Sequence, residues 1–267
     1  MSTGTSLSPD HILIDHADDA FPVVTINRPE KRNCVSFAMW SELARVFDEL
    51  SSMPAVRAII LTGAGGSFCA GADISEFDDV RASKEDAERY EHAVEASNEA
   101  ISKSPKATIA AISGACVGGG CGLALACDFR IVDETAYFAI PASRLSIVYD
   151  LGETRNLLNA VGFSKAKEIL FTGRRYAAQD ALEINLIDRI DGPDGLAAAK
   201  AYAEAMRHSA PLTIAGAKTM LDVLSKGDAE ERRDEMSEAM ARSVESADYQ
   251  EGVRAFAEKR NPVFRGV

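Results

Sequence analysis

Residues 113–128 read SGACVGGGCGLALACD, and residues 65–74 read GGSFCAGADI. Each stretch follows an apolar segment, Ile109 to Ile112 in the first case and VRAIILTGAG (56–65) in the second. The uncharged run from Ala107 to Cys127 has the length of a membrane span. Its many glycines and few Leu, Ile and Val residues instead predict a strand, a tight glycine turn and a buried helix. Two strand–turn–helix units therefore carry glycine loops at comparable points. Small residues let a ligand approach the backbone, and N–H groups at a helix start face outward into a field that favours negative charge. Two such loops that converge can donate to one oxygen, and each donor to a developing oxyanion is worth roughly 2.7–4 kcal/mol. Taken singly, each loop reads as a tight turn. Neither is a Walker loop, because no GK[ST] follows, and the glycine spacing does not fit a dinucleotide fingerprint.

Working outward, HILIDH (11–16) and PVVTIN (22–27) alternate as half-buried strands, with a hairpin turn at Asp18–Asp19. Apolar residues at 37, 40, 43, 46, 47 and 50 predict a helix, and 85–104 predicts a charged amphipathic one. FRIVDETAYF (129–138) reads as a strand pair. Helices are then expected at 151–160, 164–171, 178–185, 193–209, 211–226, 229–243 and 247–258, punctuated by Gly162, Gly173, Gly192, Pro211 and Gly227. The reading is an α/β core over 1–195 followed by a helical C-terminal region over 196–267.

The 267 residues are 46% hydrophobic and 26% charged, ordinary values for a globular chain with a sizeable core. Lys and Arg number 29 against 41 Asp and Glu, a net charge of −12. That sign argues against a nucleic-acid surface. Cys34, Cys69, Cys116, Cys121 and Cys127 include no CxxC pair, so reduced thiols in a cytoplasmic protein are expected. The first ten residues, MSTGTSLSPD, show no basic and no apolar segment of a signal peptide.

FCAGADI (68–74) with SGACVGGGCGLALACD (113–128) resembles the crotonase, or enoyl-CoA hydratase/isomerase, superfamily. INRPEKRN (26–33), KEILFTGRRYAAQDALEINLIDRI (167–190) and DYQEGVRAFAEKRNPVF (248–264) are similar to further segments of that family, in the same order. The resemblance implies a spiral of ββα units with a C-terminal helical trimerisation region. It also implies a homotrimer or dimer of trimers, acyl-CoA substrates of the kind met in fatty acid metabolism, and no cofactor beyond the coenzyme A moiety. The N–H groups of Ala72 and Gly119 would hold the thioester oxygen. Ala70 and Ile74 would flank the adenine, while Lys31, Arg32 and Lys259 (the last from a neighbouring subunit) would lie near the CoA phosphates. The plain alternative for these basic residues is a solvated surface.

The family's hydratases use two glutamates. Gly122 stands at the first of those positions and Ala142 at the second, so two-glutamate hydration does not follow. Asp150 lies where members resembling dienoyl-CoA isomerases place an aspartate, and it is the candidate general base. A carboxylate beside an apolar pocket would have a raised pKa. Asp150 also reads as the N-cap of the helix from Leu151, and the two roles can coexist. Tyr149 would orient the acyl group or simply form pocket wall. Tyr149 and Asp150 also resemble methylmalonyl-CoA decarboxylases, although those carry His where Ala72 stands. Arg144, Glu153 and Arg155 are further acid–base candidates, ranked below Asp150, that read rather as an ion-paired loop, and Cys69 and Cys121 read as packing residues. His11, His16, His92 and His208 fall on strand or helix surfaces, which leaves Ser146 without a triad. The leading expectation is double-bond isomerisation through an enolate. A malonyl-type decarboxylase and a non-catalytic acyl-CoA-binding scaffold stand beside it.

Overall fold

The computed structural model describes residues 11–267, and the N-terminal residues 1–10 that bear on a signal peptide lie outside the described residues. The first apolar runs form the expected hairpin. β1 (Ile12–Asp15) pairs antiparallel with β2 (Val23–Ile26), Ile12 opposite Ile26, and the N–H of Phe21 donates to the Asp18 carbonyl in the turn at 3.0 Å. After α1 (Phe37–Ser52) comes β3 (Ala58–Gly63), then the single turn α2 (Phe77–Val80) and the long α3 (Lys84–Ser102). The uncharged run 107–127 is β4 (Ala107–Ile112), β5 (Ala115–Val117) and α4 (Gly119–Ala126), as the glycines predict. Among the described residues, no helix is long and apolar enough to cross a membrane.

The segment 129–138 does form two strands, β6 (Phe129–Val132) and β7 (Tyr137–Ala139), but they belong to different sheets. α5 (Ala142–Leu145) precedes α6 (Leu151–Thr172), which consists of the two expected helical stretches, separated at Gly162 by a non-helical φ of +73° and ψ of 169°. β8 (Tyr176–Ala177), α7 (Ala178–Glu183) and β9 (Arg189–Ile190) follow. The tail is α8 (Gly195–Glu204), α9 (Pro211–Lys226), α10 (Arg233–Glu245) and α11 (Ala247–Glu258). The six-stranded sheet runs β1-β2-β3-β4-β6-β9 and is parallel beyond the first pair. A second sheet runs β5-β7-β8. Each of β4 and β6 is thus followed by a short strand of the second sheet and then a helix.

Both faces of the main sheet are covered, which is why β3 and β4 read as continuous apolar runs rather than alternating ones. Ile59, Leu61, Ala110 and Ile112 face the larger core with Trp40, Phe47 and Leu123. Ala58, Ile60, Ile109 and Ala111 face the smaller one, closed by Ala199 and Ala203 of α8. Burying each large apolar side chain contributes about 1.5–3 kcal/mol. The turns at the strand ends therefore sit on a rigid base.

Candidate active site

The two glycine loops meet at the ends of β3 and β4. They are laced by backbone hydrogen bonds: Phe68 N–H to the Ser113 carbonyl at 2.8 Å, Cys69 N–H to Ala115 at 2.8 Å, and Val117 N–H to Cys69 at 2.9 Å. Beyond this ladder the loops come closer than side chains permit. Gly71 has φ +102°, and a Cβ there would lie 2.8 Å from the Val117 oxygen and 3.4 Å from the Gly119 nitrogen. Only glycine fits such a position.

The two N–H groups assigned to the oxyanion hole are left free by local geometry. Ala72 pairs with Val35 in a parallel bridge whose bonds run from Val35 N–H to Gly71 and from Asp73 N–H to Val35. The N–H of Ala72 is not used by that bridge. Gly119 is the first residue of α4, so its N–H has no intrahelical acceptor. Neither N–H has an acceptor among the described residues. A Cβ placed on Gly119 would lie 3.7 Å from the Ala72 nitrogen, so the two donors border one small space. The start of α4 adds the favourable end of a helix dipole.

Residues 31–34 are stitched to this region by Asn33. Its amide nitrogen donates to the carbonyls of Ala64 and Ser67 at 2.8 and 2.6 Å, and its amide oxygen accepts the Arg28 N–H at 2.9 Å. Ala70 donates its N–H to the Arg32 carbonyl at 3.0 Å, and Ile74 is exposed beside it. Lys31, Arg32, Ala70 and Ile74 thus share one rim. Lys31 is ion-paired with Asp73 at 2.9 Å, and Arg28 joins the same carboxylate at 3.0 Å. Burial alone would raise the Asp73 pKa, but hydrogen bonds from Ser75, Lys31 and Arg28 outweigh it and hold the carboxyl well below its usual range. Lys259 ends α11 in a left-handed conformation, φ +56°, and its side chain has no hydrogen bond or ion pair to this rim.

The N-cap reading of Asp150 holds, whereas the ion-paired loop expected around Glu153 does not form among the described residues. Asp150 is the N-cap of α6, its Oδ1 accepting the Glu153 N–H at 2.7 Å. It also borders a small cavity with Glu95, Asn98, Glu99 and Arg155, away from the glycine loops' own lining. Glu153, read as part of an ion-paired loop, forms no ion pair among the described residues. Its side chain is buried, and its Oε1 would lie 2.2 Å from a Cβ on Gly122. The Glu153 carboxyl therefore fills the space that a side chain at position 122 would need. Gly122 is one helical turn beyond Gly119 and on the same face of α4.

Burial drives the Glu153 pKa up to about 8, with Asp150 and Glu91 pushing in the same direction. The Asn98 amide opposes the rise, although neither of its polar atoms has hydrogen-bond geometry to a partner. Tyr149 points its hydroxyl inward, buried and without a partner, 3.9 Å from the Cβ position of Gly118. Burial, with Glu153 nearby, holds that phenol well above its usual pKa. Ala142 is buried at the start of α5 and brings no ionisable group. Arg144 reaches the Thr172 carbonyl at 3.3 Å instead of a carboxylate.

A free N–H pair with a raised-pKa carboxyl one helical turn away can hold a carbonyl oxygen and move a proton beside it. The profile of the family described as enoyl-CoA hydratase/isomerase matches residues 17–267. A peroxisomal Delta(3,5)-Delta(2,4)-dienoyl-CoA isomerase from Arabidopsis thaliana is 31% identical, over 95% of this chain and 95% of that protein. Mevalonyl-coenzyme A hydratase from Aspergillus fumigatus is also 31% identical, over 99% and 98%. The crystal structure of an enoyl-CoA hydratase/isomerase family protein from Hyphomonas neptunium superposes with a TM-score of 0.89 at 37% identity, covering 95% of this chain and 97% of that one. These relatives span the spiral core and the helical tail alike, and the chain belongs to the enoyl-CoA hydratase/isomerase family of the crotonase superfamily.

Proposed function

We propose that this protein shifts a carbon–carbon double bond in an acyl-CoA thioester by way of an enolate. The N–H groups of Ala72 and Gly119 hold the thioester oxygen as it gains charge, and Glu153 carries the proton from one carbon to the other. The observation that carries this reading is the Glu153 carboxyl lodged over Gly122, one turn from the hole. A carboxyl with a pKa near 8 is poised to take up and return a proton at neutral pH. One such group suffices for a shuttle, which takes a proton from one carbon and delivers one to the other. Two-carboxylate hydration finds no second acid at Ala142.

Glu153 takes the role that the sequence reading gave to Asp150. Asp150 supports it indirectly, by capping α6 and by adding negative charge beside it. A binding scaffold would have no use for an unpaired carboxyl buried at this point. The chemistry draws on no group beyond the substrate's coenzyme A. The test is a panel of thioesters followed by ultraviolet absorbance and mass spectrometry. Conversion of a 3-enoyl-CoA to the conjugated 2-enoyl-CoA is expected, without addition of water to the 2-enoyl-CoA. Hydration, or CO₂ release from a malonyl-type thioester in its place, would overturn the reading.

The same reading includes a homotrimer. Helices α9–α11 leave Leu221, Leu224, Val253 and Phe256 exposed, the last at 88%. A cavity of about 410 Å³ beside them is lined by Leu212, Tyr249, Val253, Phe256 and Phe264. Apolar surface of this kind marks an interaction site. Light scattering after gel filtration is expected to give a multiple of three times the 28.6 kDa chain, and Phe256→Asp should reduce it. A monomeric wild type would contradict this.

A further inference from the structure

We infer that Trp40 sets the length of the acyl group this site accepts, and that the substrate is a short-chain acyl thioester. The inference rests on the acyl-CoA reading above and concerns the wall of the same site.

Trp40 lies on α1 and is 1% exposed. Its Cη2 and Cζ2 atoms stand 3.1 and 3.2 Å from the point where a side chain on Gly119 would begin. The Ala72 nitrogen is 3.7 Å from that same point. The indole edge therefore borders the few ångströms in which the thioester carbonyl would sit. The other boundaries are the Glu153 carboxyl over Gly122 and the Tyr149 hydroxyl beside Gly118. An acyl group leaving the hole passes between a fixed aromatic edge and the group that takes its proton. On this arrangement the reacting carbons lie toward Glu153 and a longer hydrocarbon runs against the indole edge.

The wall is braced from behind. The Trp40 Nε1–H donates to the Tyr90 hydroxyl at 3.1 Å. Tyr90 stacks on Phe37 at 6.0 Å and meets Phe77 edge-on at 5.7 Å. The Arg81 guanidinium lies over Phe77 and Tyr90, 4.5 and 4.7 Å from their ring centroids. Turning the indole aside would break a buried hydrogen bond and disturb three packed rings. A long chain thus meets a barrier rather than a flexible side chain.

Saturated acyl-CoAs bind without being converted, so calorimetric titration with the acetyl, butyryl, octanoyl and dodecanoyl thioesters tests the wall apart from the chemistry. Wild-type affinity is expected to peak near butyryl-CoA and to fall about tenfold or more by dodecanoyl-CoA. Trp40→Phe and Trp40→Leu should move the optimum to longer chains. Glu153→Gln should keep the wild-type order, since the wall is intact in it. Wild-type protein that binds dodecanoyl-CoA as tightly as butyryl-CoA overturns the inference, whatever the variants do. That result leaves proton transfer by Glu153 untouched, whereas failure to bind any acyl-CoA overturns both readings.

Discussion

Glu153→Gln is expected to lower turnover about 10²–10⁴-fold, the usual contribution of a positioned acid–base group, while making the protein more stable in mild alkali. The two effects have one cause. In the folded protein the Glu153 pKa is about 8, against 4.5 as its ordinary value. Native protein therefore holds this proton more tightly than the unfolded chain does. Below pH 4.5 the group is protonated in both states and burial of its charge costs nothing. As pH rises toward 8 the unfolded chain releases the proton first, and stability declines across that interval. Above it the carboxylate is charged in both states, and the penalty levels off on the order of a few kcal/mol. Glutamine keeps the shape and removes the charge. Thermal melts should show wild type and variant together near the acid end of this window, and the variant higher at about pH 9. A variant that loses activity without this pH-dependent gain would mean that Glu153 is not buried as a carboxyl. In the wild type, kcat/KM should rise with pH through about 8, because the base must be ionised to act.

Gly119→Ala should cost about 10²–10³-fold in turnover, the loss seen when one oxyanion donor fails. Its Cβ would sit 3.1 Å from the Trp40 ring and 3.7 Å from the Ala72 nitrogen, inside the space meant for the oxygen. Gly119 does not have a positive φ, so the backbone conformation suits alanine, and the fold should persist with the Trp40 edge giving way by a few tenths of an ångström. Gly216→Ala is the matching control in α9, where the new methyl would meet only Ala239 at 3.9 Å. That change should leave activity intact and be neutral or slightly stabilising. Circular dichroism and steady-state kinetics on both variants separate a damaged hole from a damaged fold. Equal activity in the two would remove Gly119 from the site.

How far these features could be read from the chain depends on whether they are local. The glycine loops are local, and their turns, their strands and the free N–H at the start of α4 follow from spacing alone. Asp150 as a helix cap is local in the same way. Glu153 is not. Its role arises from a missing side chain on α4 that leaves room for an acid on α6, and no periodicity links positions 122 and 153. The sequence signal was Gly122 itself, because a side chain absent from a site invites another to fill its volume. Trp40 was hidden for a different reason. It falls on the apolar stripe of α1 with Leu43 and Phe47, and helical spacing does not reveal that its ring edge extends as far as Gly119. The separation of β6 and β7 into two sheets is also non-local, since strand pattern gives a face but not a partner. Gly162, by contrast, is local: its non-helical conformation, φ +73° and ψ 169°, separates the two helical stretches of α6 where the spacing places a helix end.

The proton transfer assigned to Glu153 can be observed without knowing the natural substrate. A saturated short-chain acyl-CoA is incubated in deuterated water with wild type, Glu153→Gln and Asp150→Asn, and deuterium at the α-carbon is followed by mass spectrometry. Asparagine is also a good helix cap, so Asp150→Asn should keep α6 in place. Exchange is expected in the wild type and in Asp150→Asn, and should be lost in Glu153→Gln. Exchange that survives in Glu153→Gln but disappears in Asp150→Asn would place the base at Asp150 and contradict the role given to the carboxyl over Gly122.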